Sequence, residues 1–97
     1  MRLLEASDFE SWVGKRIQVT AVPNNVCVVL DHIEKGLAPI VIEGFRQSFT
    51  LIFRSTFDQQ LIDGSYEFDC GVGGPHVIFV SQIQPIGNDR FYQAIFN

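Results

Sequence analysis

Lysine is nearly missing from this chain. Lys15 and Lys35 are the only two among 97 residues, and seven basic side chains face eleven acidic ones, for a net charge of -4. A nucleic-acid surface works by Lys and Arg displacing counterions from phosphates. Scattered basic residues outnumbered by carboxylates make no such stripe, so no nucleic-acid partner is expected. Long apolar runs are also missing. No stretch approaches the ~20 apolar residues that cross a bilayer, and Met1-Arg2-Leu3-Leu4-Glu5-Ala6 is too short in apolar length for a signal peptide. The expectation is a cytoplasmic chain with no membrane contact. Cysteine is limited to Cys27 and Cys70, which read as two reduced thiols acting as small buried hydrophobes. Linkers, internal repeats, charge blocks and low-complexity segments are absent.

The missing motifs matter as much. There is no CxxC or HxxxH pair, so Cys27, Cys70, His32 and His76 do not form a metal-ligand pattern, and no metal or other cofactor is expected. There is no GxSxG nucleophile elbow. Gly71-Val72-Gly73-Gly74 superficially matches a phosphate-cradling loop, but a strand follows it and the third glycine of GxGxxG falls on His76. It reads instead as a hairpin loop that uses positive φ. Glu67 and Asp69 resemble an acid–base pair, yet their alternation with Tyr66, Phe68 and Cys70 makes them the solvated face of a half-buried strand. No catalytic residue is assigned, and the chain is not expected to be an enzyme.

What the chain does have is Phe, nine of them in a sequence that is 46% hydrophobic. That is a folded globule, and 97 residues make one domain over 1–97. The run Phe45, Phe49, Phe53, Phe57 commits much of the aromatic mass to one apolar surface. A spacing of four suits a helical face or one face of a strand. The Thr, Ile and Phe content around it selects a strand over 47–55, with Phe49, Leu51 and Phe53 inward and Ile52 on a partly covered second face.

Ser7 to Glu10 has the form of a capping box, and Phe9, Trp12 and Val13 form an apolar stripe stopped by Gly14. The expectation is a short helix over 7–13 that plugs one end of a core. Beyond it the period becomes two. Ile17, Val19 and Ala21 alternate with polar residues, Pro23-Asn24-Asn25 turns the chain, and Val26 to Ile33 returns as a hairpin partner. Within 36–44, Ile40-Val41-Ile42 is either a short edge strand or a loop. Asp63-Gly64 signals a tight turn, followed by strands over 65–70, 76–84 and 91–96 with a turn at Pro85 to Asp89. The fold class is therefore mainly β, a small antiparallel barrel or sandwich of about six strands with one short N-terminal helix.

Four segments carry a family resemblance. They are Phe49-Thr50-Leu51-Ile52-Phe53-Arg54, Leu61-Ile62-Asp63-Gly64-Ser65-Tyr66, Ile78-Phe79-Val80 with Pro85-Ile86-Gly87, and Tyr92-Gln93-Ala94-Ile95-Phe96-Asn97. Together they resemble an uncharacterised bacterial family of all-β proteins of about this length, which opens with an Asp-Phe helix like Asp8-Phe9 and closes in a Tyr-x-Ala-x-Phe-Asn strand. The resemblance spans nearly the whole chain. Ser55-Thr56 replaces a common Gly-Pro, and Asp63-Gly64 replaces a Gln-Gly turn. It implies no catalytic residue, and it suggests an accessory or assembly role encoded near phage-tail-like proteins.

Three functional classes follow. The first is a protein-interaction module, docking a protein partner or forming a homo-oligomer through an edge made by the last strand: Phe91, Tyr92, Gln93, Ala94, Ile95 and Phe96. The competing reading makes that strand a paired element closing a barrel. The second class is a binder of a small apolar ligand inside the barrel. The third is an enzyme using His32 or His76, which requires one of them to sit in a cleft within reach of a Ser, Cys or carboxylate.

Overall fold

Alternating apolar residues pair into ribbons because one face of each strand has to leave water. In the computed structural model, which describes residues 4–36 and 48–96, six strands do this: β1 (Arg16–Val19), β2 (Val26–Lys35), β3 (Phe49–Thr56), β4 (Gly64–Asp69), β5 (His76–Ile86) and β6 (Asp89–Phe96). All neighbouring pairs are antiparallel, and the ring β1-β2-β3-β6-β5-β4 closes on itself through β1 and β4. Phe45 and Ile40-Val41-Ile42 lie outside the described residues.

Closure puts one face of every strand into a common centre. Ile17, Val19, Val28, Leu30, Leu51, Phe53, Phe68, Ile78, Val80, Tyr92 and Ala94 are buried there. Phe49, Leu51 and Phe53 point inward as the alternation on β3 requires. Ile52, on the outer face, is also buried, between His32 of β2 and Gln93 of β6 in the lateral register. Phe57 does not join this surface. It lies past the end of β3, half exposed, with the Arg90 guanidinium 4.0 Å from its ring centre.

The N-terminal helix forms as two consecutive 3-10 turns, Ala6–Asp8 and Glu10–Trp12. Segments this short lack the length to propagate α-helical hydrogen bonds. Ser7 is not the cap. The cap position belongs to Glu5, whose N–H donates to Asp8 Oδ2 at 2.7 Å. Phe9 and Trp12 are buried as the stripe predicts, but Val13 is exposed because the chain has already turned extended there. Gly14, at φ 80°, then donates to the Leu30 carbonyl at 2.8 Å and swings the chain into β1.

Asp63-Gly64 does not make a hairpin turn. Gly64 is the first residue of β4, paired with Val80, and Asp63 Oδ1 accepts the Gln82 N–H at 2.9 Å. β3 and β4 are not neighbours in the ring, so the intervening residues cross one barrel mouth instead of reversing between paired strands. The loop glycines Gly71, Gly73 and Gly74 all take positive φ as expected.

Candidate functional site

Each barrel mouth is sealed by its own chemistry. At one, Phe9 meets Trp12 edge to face at 5.2 Å, and Phe49 stacks on Phe96 at 4.7 Å. His76 stacks on Trp12 at 5.7 Å, and Trp12 Nε1 donates to the Val72 carbonyl at 2.6 Å. That bond ties the glycine loop to the plug. At the other mouth, Tyr92 Oη lies 2.9 Å from Ser55 Oγ and accepts the Leu61 N–H at 3.2 Å. Ser55 Oγ is also 3.0 Å from the Gln59 carbonyl. These hydroxyls hold the 57–63 loop over the barrel and carry Leu61 into the core. His76 is therefore a packing residue, and Ser55 and Tyr92 fasten a loop.

His32 sits on the outer wall. A β-bulge between Leu30 and His32 leaves Asp31 as the extra residue on β2. His32 Nδ1 is 2.7 Å from Asp31 Oδ2, His32 Nε2 is 3.3 Å from Glu34 Oε2, and Arg54 Nε donates to Asp31 Oδ1 at 3.0 Å. The hydrogen bond to Asp31 lifts the imidazole above its ordinary pKa of 6.5, partial burial opposes that shift, and the bond to Glu34 adds to it. The histidine thus has carboxylates within reach, but its side chain is 49% exposed and lines neither of the described cavities. Among the described residues, no group of three or more His, Cys, Asp or Glu is placed to hold a metal ion. Cys27 and Cys70 are free thiols, half-buried and not the fully buried pair expected.

The last strand is not a sheet edge. β6 is bonded to β3 along its whole length, Phe49–Phe96 through Thr56–Asp89. On its other side it meets β5 from Ser81–Gln93 to Ile86–Asp89. Phe91, Tyr92 and Gln93 are therefore paired on both flanks. Tyr92 and Ala94 turn into the core, and Phe96 packs on the aromatic plug. Of the six residues, Ile95 is the large apolar one that faces out and stays exposed, at 60%.

Ile95 has company that sequence reasoning missed. Val77 and Phe79 on β5 point outward and are 72% and 59% exposed. The β5–β6 ladder ends at Ser81–Gln93, and Phe79 and Ile95 each lie two residues beyond that last pair on the same outward face of their strands. Carboxylates flank this apolar wall. Glu67 lies opposite Val77 across the β4–β5 ladder, and Glu34 lies beyond Thr50 from Ile95. The available signal was β5 itself, apolar on both faces in a chain with too few elements to cover both.

The chain matches the DUF6916 family, a domain of unknown function, over residues 4–96, and it belongs to that family. No curated protein and no solved structure matches it. No helix among the described residues is long and apolar enough to cross a membrane.

Proposed function

We propose that this member of the DUF6916 family is a protein-docking module, a rigid filled barrel that presents the Val77–Phe79–Ile95 wall to a partner. One observation carries the reading: three large apolar side chains on adjacent strands stand in water with acidic residues at both flanks. Exposed apolar side chains clustered on neighbouring strands of a small domain support an interaction reading. The acidic flanks, in a chain of net charge -4, disfavour a second copy and select a partner whose apolar surface is bordered by Lys or Arg. The family resemblance supports an accessory or assembly role beside phage-tail-like proteins.

The test is a chemical-shift titration with two extended peptides that share an apolar centre, one flanked by lysines and one by glutamates. The lysine peptide is expected to shift the Phe79 and Ile95 amides saturably, and the glutamate peptide to leave them unmoved. Phe79→Glu should abolish the effect with the urea midpoint unchanged, because Phe79 packs outside the core. Shifts mapping elsewhere would refute the docking wall. So would a wild-type chain that sediments as a dimer and becomes monomeric in Phe79→Glu, which would assign the wall to a second copy.

A further inference from the structure

The β2–β3 ladder begins only at the Val29–Arg54 pair. Below it the two strands separate, and Gln59 from the 57–63 loop enters the gap, its Oε1 accepting the Cys27 N–H at 2.8 Å. The separation leaves a surface cleft of about 150 Å3 lined by Arg16, Cys27, Val29, Arg54, Thr56 and Asp89 among others. It lies towards the mouth sealed by Tyr92, away from the docking wall, and Ser55 and Gln59 of that mouth also line it.

The lining is organised by register. Arg16 pairs with Val29 across β1–β2, and Val29 pairs with Arg54 across β2–β3. The two arginines thus stand two strand spacings apart on one lateral row, about 10 Å between backbones, with an apolar side chain between them. Thr56 and Asp89 pair on the adjacent row. Arg54 spends its Nε on Asp31. Its remaining N–H groups, the Arg16 guanidinium and the Asp89 carboxylate make no hydrogen bond or ion pair among the described residues. Opposite charges therefore share one cleft without neutralising each other, although any pair brought within reach is attracted.

We propose that this cleft binds a small α-amino acid. A simple anion meets the Asp89 carboxylate, and a simple cation meets two guanidinium groups. A zwitterion satisfies both. Its carboxylate lies between Arg16 and Arg54, whose planar forks bind carboxylates. Its ammonium faces Asp89, and its side chain lies on Val29. The cleft, about 150 Å3, has room for several waters and hence for the ammonium, carboxylate and short side chain of a small amino acid. Glycine and alanine are the minimal ligands of this class.

A nitrogen-15 NMR titration decides this, with glycine, acetate and methylammonium as separate probes, following the Arg16 and Arg54 Nε–H signals and the Cys27 amide. Glycine is expected to shift all three saturably, and the two half-ligands to bind about tenfold more weakly or not at all. Arg16→Gln and Asp89→Asn should each weaken glycine about tenfold, with the fold intact because neither side chain has a partner among the described residues. Acetate binding as tightly as glycine would refute the zwitterion. An unchanged glycine affinity in Arg16→Gln, or no saturable shift with glycine, would remove the site altogether.

Discussion

The two mouths of this barrel solve the same problem in opposite ways. One is stoppered by aromatic mass: Phe9 and Trp12 are fully buried between Phe49, Phe96 and His76, with a single indole hydrogen bond to Val72. The other is stitched by hydroxyls. Tyr92 and Ser55 engage the backbone at Gln59 and Leu61 and so hold a loop that carries one apolar residue inward. Apolar burial is non-directional and scales with area, so the first seal tolerates approximate geometry. Hydrogen bonds need alignment, and a buried donor left unpaired is costly, so the second seal depends on particular atoms. The aromatic seal should therefore contribute more, and the hydroxyl seal should be the more sensitive to single-atom changes.

The largest effect is expected from Trp12→Ala. Removing a fully buried indole should cost about 3–5 kcal/mol, read as a fall in the urea midpoint at unchanged slope. Trp12 also holds Val72, so amide exchange in the 71–74 loop should rise in the same variant.

Tyr92→Phe comes next. It deletes one oxygen, keeps the ring, and leaves the Leu61 N–H without its acceptor. The expected loss is about 1–3 kcal/mol, large for one atom. A loss near zero would mean that water or another group replaces the hydroxyl and that the stitched mouth is not specific.

The smallest effect lies on the outer face of β2, at His32. Its folded pKa is raised above 6.5, chiefly by Asp31. The protonated form is therefore the favoured one in the fold. Its contribution is fully present below pH 6.5 and is lost as pH rises through the folded value. Because the ring is half exposed, screening holds the contribution to no more than about 1 kcal/mol. Titrating His32 by NMR should give a value above 6.5 that falls back in Asp31→Asn. His32→Gln should flatten the urea midpoint across that window.

The β character was legible because period-two alternation is a local property. Phe49, Leu51 and Phe53 announce their inward face in sequence. The turn at Pro23-Asn24-Asn25 carries its own chemistry, and the turn expected over Pro85 to Asp89 is narrower than its residues suggest, because Pro85 and Ile86 stay in β5 and Asp89 opens β6, leaving Gly87-Asn88 to reverse the chain. What was not legible depends on neighbours that sequence does not name. Nothing in Phe91 to Phe96 says whether one strand or two will flank it, and β6 acquired two. Asp63-Gly64 looks like a hairpin turn, but ring order separates the strands it would join. Ser55 and Tyr92 are 37 residues apart, and nothing in either local pattern couples them. The exposed wall was missed for a different reason. Val77 and Phe79 look like core residues by type, and only closure of the ring decides that Ile78 and Val80 go inside instead. Arg16 and Arg54 likewise share a row only because β2 lies between β1 and β3.

The barrel is closed, and its two mouths are sealed separately. A double-mutant cycle between them tests it most directly, using Phe9→Leu at the aromatic mouth and Tyr92→Phe at the hydroxyl mouth, with stabilities from urea unfolding. Independent seals predict additive losses, with a coupling term below about 0.5 kcal/mol. A coupling well above 1 kcal/mol, of either sign, would mean that the two ends share one cooperative network, and the account of two distinct closures would be wrong.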